Sequence, residues 1–354
     1  MRPLTATISL DALRHNLGVV RRCAPHARVF AVIKANAYGH GVARAARALE
    51  GADGIALLEI DAAVALREAG YRRRLALLEG LFDISELAAA AAHELTIAIH
   101  NDDQLRMLDA APPGARLDVM LKVNSGMNRL GFRTQDALAA CGKLAGHGAV
   151  KQITLMTHFA TADDERGVAW QMKAFDAVAA GQPYERCIAN SAAILRHPET
   201  HADWVRPGIM LYGGSPFADV TASELGLEPV MTLESVVISV QELRPGDRIG
   251  YALTFEATRP MRIGTVACGY ADGYPRHAPT GTPVLAGGRR TSTLGRVSMD
   301  MLCVDLTEIP AGRVGIPVTL WGKGLPADEV AAHAGTVSYE LMCAVAPRVA
   351  MVEI

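Results

Sequence analysis

Between residues 29 and 206 the apolar positions fall into eight short runs, at 29–33, 54–58, 75–78, 95–99, 117–123, 152–157, 186–189 and 203–206. Short apolar runs of this kind are what strands buried on both faces look like. Stretches with helical spacing lie between them: Val42–Leu49, Ile60–Ala69, Ile84–Ala92, Asp102–Ala110, Gln135–Ala145 and Gly167–Ala180, with a short connection at Ala192–Arg196 after the seventh run. Eight strand–helix units in about 200 residues predict an α/β chain folded as a (β/α)8 TIM barrel. A doubly wound open sheet is the competitor. It usually has fewer strands and a Gly-x-Gly-x-x-Gly turn, and that turn is absent.

After about residue 220 the pattern turns strand-like. Runs at Val236–Gln241, Arg262–Ala267, Pro283–Leu285, Met301–Asp305 and Val318–Trp321 are separated by turn signals such as Arg244-Pro245-Gly246-Asp247 and Ala286-Gly287-Gly288. Only Ala327–Ala334 reads clearly as a helix. The expected division is a barrel over 10–221 and a mainly β domain over 222–354. Thr5–Leu10 reads as a strand that precedes the barrel and has no place inside it, so residues 3–9 are expected to pair with the second domain. Asp11 reads as the N-cap of a helix running to Arg22.

Composition narrows the classes. Half of the 354 residues are hydrophobic and a fifth are charged, enough for a large core. The formal net charge of -2 gives no reason to expect nucleic acid or an anionic membrane as partner. The six cysteines show no Cys-x-x-Cys spacing, so neither a disulfide frame nor a zinc site is expected, and no metal. They read as reduced thiols of a cytoplasmic protein. No signal peptide opens the sequence and no apolar segment reaches the roughly 18 residues of a membrane span.

Barrel chemistry sits at the C-terminal ends of the strands, and polar residues cluster at those positions. The first run ends at Lys34, the fifth at Lys122 followed by Arg129, the sixth at Thr157-His158, the seventh at Asn190-Ser191 and the eighth at Arg206-Pro207-Gly208. Each has a plainer explanation alone: a snorkelling lysine, a satisfied core histidine, a surface ion pair, a helix cap. Five polar strand ends at one rim are harder to assign to chance. Desolvation at the edge of an apolar layer disfavours the ammonium form of Lys34 and favours a nucleophilic amine. Asn36, Gly39 and Gly41 then break the chain and let it approach a ligand closely. A nucleophilic lysine beside a phosphate cradle is what pyridoxal 5'-phosphate (PLP) requires. The backbone N–H groups of Gly208 and Ile209, with the hydroxyls of Ser191 and Tyr38, are candidates for the phosphate. Arg206 is the candidate for the pyridine nitrogen. It can only donate there, which weakens the electron sink and disfavours transamination. Arg129 can clamp a substrate carboxylate.

Taken together, the segments Ala31–Gly41, Leu121–Phe132, Met156–Asp163, Ala189–Ala192, Arg206–Gly213, Ile249–Tyr251, Gly269–Arg276 and Gly295–Asp300 resemble the bacterial alanine racemase family. They span most of the chain in family order. The resemblance implies PLP on Lys34, a homodimer whose sites are completed by the partner subunit, and interconversion of L- and D-alanine without a metal. That reaction supplies D-alanine for peptidoglycan or feeds alanine catabolism. It implies two bases on opposite faces of the substrate: Lys34 acting on D-alanine, and Tyr251, from the partner subunit, acting on L-alanine, helped by His158 and Arg206. Met299 of the partner is implied to line the substrate site, Tyr270 and Arg276 the mouth of the pocket, and Lys122 to be carbamylated so that it holds Arg129. Some members place a C-terminal tyrosine against the cofactor. Here that neighbourhood reads Ala344-Val345-Ala346-Pro347-Arg348, and Tyr339 is too far back to be assumed as its replacement.

Three other readings stay open at this stage. A racemase of broader specificity, for serine or lysine, shares the fold. A non-catalytic PLP carrier resembles the barrel alone and lacks a β domain bearing Tyr251 and Met299. A decarboxylase of the same barrel class usually presents an acid to the pyridine nitrogen, where this sequence offers Arg206.

Overall fold

A computed structural model describes residues 2–354 of the chain. All eight apolar runs are strands: Arg28–Val32, Gly54–Leu57, Arg74–Leu77, Thr96–Ile99, Leu117–Asn124, Val150–Met156, Glu185–Ala189 and Trp204–Val205. Each pairs in parallel with the next, and Trp204–Val205 pairs back with Arg28–Val32, so the sheet closes into a barrel with helices between the strands. The lower end is plugged. Phe30 stacks on Trp204 at 4.0 Å between ring centroids, Arg28 lies over the Trp204 ring at 4.3 Å, and Glu185 accepts from Trp204 Nε1 at 2.9 Å. Most of these residues lie at or near strand starts, so the opposite rim is left for a pocket.

The second unit is also closed. Met231–Leu243, Met261–Val266, Leu302–Asp305, Arg289–Leu294, Pro283–Ala286 and Pro317–Trp321 form an antiparallel ring that returns to Met231–Leu243. Thr5–Ile8 pairs antiparallel with Met231–Leu243, as its position ahead of the barrel suggested, and the last strand, Ala350–Glu353, lies parallel beside it.

The structure corrects several details. The first strand stops at Ile8 because Ser9, not Asp11, caps the helix Leu10–Cys23: Ser9 Oγ accepts from Ala12 N at 3.2 Å. Asp11 sits in the first turn, where its charge suits the helix dipole. Arg289–Leu294 hid behind polar residues because its first half is a solvent-facing hairpin arm turned by Gly287-Gly288. A second helix in the β unit, Ser338–Cys343, is too short to show a period. No helix among the described residues is long and apolar enough to cross a membrane.

Candidate active site

Lys34 stands two residues past the first barrel strand, at the start of an unusual turn. Ala35, Asn36, Ala37 and Tyr38 all have φ between 51° and 55°, the left-handed region. For L-residues each such conformation costs roughly 1–2 kcal/mol, so the turn is held by its surroundings. Ala37 N donates to Ile33 O at 2.9 Å, Gly41 N to Asn36 O at 2.8 Å, and Val42 N to the Asn36 side chain at 3.2 Å. Gly39 continues it at φ 82°. A Cβ there would stand 2.2 Å from Met342 O, so only glycine lets the helix Ser338–Cys343 of the β unit press against the turn.

Above the strand ends lies a cavity of about 440 Å³. Of the residues singled out from sequence, Lys34, Tyr38, Lys122, Arg129, His158, Ser191, Arg206, Gly208 and Ile209 all line it. Four cationic side chains therefore face only two carboxylates, Glu79 and Asp163. Among the described residues, Lys34, Lys122 and Arg129 make no ion pair, a poor arrangement for stability and a good one for an anionic ligand.

Arg206 is buried and fastened. One terminal nitrogen donates to Cys187 O and the other to Thr157 O at 2.6 Å. Its Nε has no partner among the described residues, which leaves one N–H unspent on a residue that lines the cavity. His158 is held well below the usual histidine range by burial first and then by Arg206, Lys122, Arg129 and Lys34. Lys122 is pushed down to about 8, again by burial first and then by Arg206 and Arg129, with Glu79 opposing. An amine in that range is uncharged for a useful fraction of the time near neutral pH.

The far wall forms a small cradle. Ser191 Oγ accepts from Gly208 N at 2.9 Å, and the Tyr38 hydroxyl lies where a Gly208 Cβ would be, 2.6 Å from it. The Tyr38 and Ser191 hydroxyls lie beside the start of the turn Ile209–Tyr212, where the Gly208 and Met210 N–H groups both point at Ser191 Oγ. This donor set, next to unneutralised cations, suits a phosphate.

Tyr251, Met299, Tyr270 and Arg276 do not line this cavity within the chain. Tyr251 is 71% exposed and Met299 53%, both on the β unit. The loop bearing Tyr270 is zipped to the loop bearing Met299: Tyr270 N donates to Ser298 O and Ala271 N to Met299 O, both at 3.0 Å. Asp272, fully buried, locks the pair by accepting from Gly269 N, Arg2 and Arg348 at 2.9, 3.0 and 2.7 Å. Sequence reasoning missed Glu79, Asp163 and Cys343 on the cavity wall, and it set Tyr339 aside. Tyr339 does line the cavity, with its ring 6.0 Å from that of Tyr38. Only the undetected helix Ser338–Cys343 could have signalled that.

A closed parallel barrel with a cation-lined cavity at the C-terminal rim, joined to a β unit through the lysine-bearing turn, defines an enzyme that works on a small anionic molecule at the barrel mouth. Comparison with known proteins names the family. Residues 8–216 match the model of the alanine racemase N-terminal domain and residues 230–353 that of the alanine racemase C-terminal domain. The chain belongs to the alanine racemase family. The alanine racemase of Nitrosospira multiformis is 60% identical over 350 residues, covering 98% of both chains. That of Thiobacillus denitrificans is 58% identical, covering 100% of this chain and 96% of its own. Among solved structures, the biosynthetic alanine racemase from Pseudomonas aeruginosa superposes with a TM-score of 0.98 at 48% identity, and the alanine racemase from Acinetobacter baumannii with 0.95 at 36%, each covering both chains in full.

Proposed function

We propose that this chain interconverts L- and D-alanine with PLP as cofactor, in the cytoplasm, as a homodimer whose sites are shared between subunits. The observation that carries the reading is the gathering of Lys34, Arg129, His158 and Arg206 around one cavity in a chain that matches the family along both units.

The residues fit the cofactor. Lys34 Nζ would hold it covalently. Tyr38, Ser191, Gly208 and Ile209 would take its phosphate, and the free N–H of Arg206 its ring nitrogen. Bound there, PLP supplies the electron sink that makes the α-proton of an amino acid removable. Arg129 holds the substrate carboxylate by a two-pronged contact. Released when the substrate's own amine takes its place on the cofactor, Lys34 Nζ would be free to exchange the α-proton on one face. On the other face the Tyr251 hydroxyl of a second copy does so. A free phenol titrates near pH 10, about three units above neutrality, so its ionised form needs a nearby hydrogen-bond donor. Neutral His158, with Nδ1 turned to Arg206 and its proton on Nε2, supplies that donor.

The exposure of Tyr251 and Met299 on the β unit supports their use by a second copy, with Tyr270 and Arg276 at the mouth of its cavity. Lys122, kept partly uncharged, is suited to capture carbon dioxide as a carbamate, an anion able to brace Arg129. The loss of an incorporated labelled-carbon signal on Lys122→Met checks that assignment. The six unpaired cysteines support a reducing compartment.

The test is a racemisation assay across amino acids, with and without added PLP, read by chiral separation. Rapid appearance of D- from L-alanine, with serine and lysine far slower, is expected. Failure to interconvert any enantiomer with PLP present would overturn the reading.

A further inference from the structure

One buried side chain bonded to the lysine-bearing turn has no part in the chemistry above. It is His40, fully buried. Its Nδ1 lies 3.0 Å from Ala37 O and 2.9 Å from Tyr38 O. Carbonyl oxygens only accept, so Nδ1 carries the hydrogen and is shared between the two. Both carbonyls belong to residues held in the left-handed region. The backbone of His40 adds a further grip, since its N–H donates to Ala37 O at 3.0 Å. The ring also leans on the cofactor wall: its centroid is 4.7 Å from that of Tyr212, and Tyr212 stacks on Tyr38 at 4.6 Å. Tyr212 is anchored by donating its hydroxyl to Val32 O at 2.9 Å, at the end of the strand that leads to Lys34.

We propose that His40 is a positioning residue that clamps the left-handed turn through the carbonyls of Ala37 and Tyr38, fixing where Lys34 and Tyr38 meet the cofactor. The geometry separates this role from ordinary core filling. A left-handed turn of non-glycine residues has lower-energy alternatives, and its carbonyls need a donor on the inner side to exclude them. Nδ1–H is that donor for Tyr38 O, and at Ala37 O it adds to the backbone bond from His40 N. The neutral ring leaves Nε2 as a bare acceptor, and Nε2 has no hydrogen-bond partner among the described residues. The clamp therefore uses one nitrogen only. Burial, the largest influence, holds the ring neutral with its pKa pushed down to about 4. The clamp keeps one protonation state across the physiological range.

This inference rests on the reading that Lys34 holds PLP, and the test uses a feature of side-chain shape. An asparagine amide nitrogen sits where histidine Nδ1 sits, whereas a glutamine amide sits near Nε2. His40→Asn keeps a donor for the two carbonyls, His40→Gln moves it out of reach, and His40→Phe keeps the ring but has no donor. Release of PLP from each diluted holoenzyme would be followed by loss of its absorbance band, with borohydride trapping and peptide mapping to locate the bond at Lys34. Release by His40→Asn is expected within a few-fold of the unmodified chain, and release by the other two about tenfold faster or more, one lost hydrogen bond being worth on the order of a decade in an equilibrium. Amide hydrogen exchange of residues 34–41 without cofactor should follow the same order, whatever Lys34 binds. His40→Phe behaving like the unmodified chain, or His40→Asn as poorly as His40→Gln, in both measurements would overturn the clamp. No PLP trapped at Lys34 in the unmodified chain would instead overturn the functional reading, and the exchange order alone would then decide the clamp.

Discussion

Arg206 Nη2 lies 3.5 Å from His158 Nδ1. A guanidinium has no acceptor, so the Nδ1 lone pair faces it and the proton of a neutral His158 sits on Nε2. The two side chains thus have fixed polarity, with Arg206 the donor. Arg206 is in turn fixed by the carbonyls of Cys187 and Thr157. A histidine in this position cannot easily become an imidazolium, which keeps it available as a neutral partner for a phenol.

Stability should therefore fall on the acid side through two buried histidines. The unfolded chain binds a proton at each below about pH 6.5. The folded chain resists: burial pushes His40 down to about 4, and burial with Arg206 holds His158 well below its usual range. The stabilisation is fully present above about pH 6.5 and is lost as pH falls, at up to about 1.4 kcal/mol per pH unit for each histidine. His40→Asn should lose about that much less than the unmodified chain between pH 6 and pH 5, read from melting curves. Parallel curves would remove His40 from the account.

Lys34→Ala should abolish the cofactor absorbance near the visible edge and reduce alanine turnover by several orders of magnitude. Persistence of the band would reassign the covalent site. Lys122, the other lysine in the cavity, would be the next to examine.

The proposed sharing of sites between subunits predicts complementation. Lys34→Ala and Tyr251→Phe chains should each be nearly inactive. Subunits unfolded together and reassembled in equal amounts should regain about a quarter of full activity, because half of the dimers then carry one intact site. If both residues serve the same chain's site, the mixture recovers nothing.

Gly208→Ala places a methyl group 2.6 Å from the Tyr38 hydroxyl, inside the phosphate cradle. Cofactor affinity should drop by about tenfold or more, with a melting temperature close to that of the unmodified chain when both lack cofactor, since the displaced group borders an open cavity. Equilibrium titration with PLP measures it. Unchanged affinity would place the phosphate elsewhere.

The barrel was legible because each of its strands carries a short buried apolar stretch bounded by polar or glycine-bearing segments. The rim residues followed from the position of those strand ends. What stayed hidden depends on contacts between distant segments. The strand Arg289–Leu294 is half solvated and shows no apolar run. Tyr339 joins the cavity only because Gly39 lets the helix Ser338–Cys343 come within touching distance of the lysine turn. Glu79 directly follows the run 75–78 and so stands at the same rim, but a lone carboxylate there carried no chemistry to single it out, and Asp163 reaches the wall from a loop seven residues beyond the sixth strand. The left-handed turn itself was invisible: Ala35, Ala37 and Tyr38 have no intrinsic preference for that conformation, and Asn36 only a modest one.

The pairing of Thr5–Ile8 with both Met231–Leu243 and Ala350–Glu353 has a consequence for how the chain is made. This strand is made before the barrel, yet both of its neighbours are encoded after the barrel. The barrel can condense while the strand waits. The β unit is therefore sealed only once Ala350–Glu353 has been made.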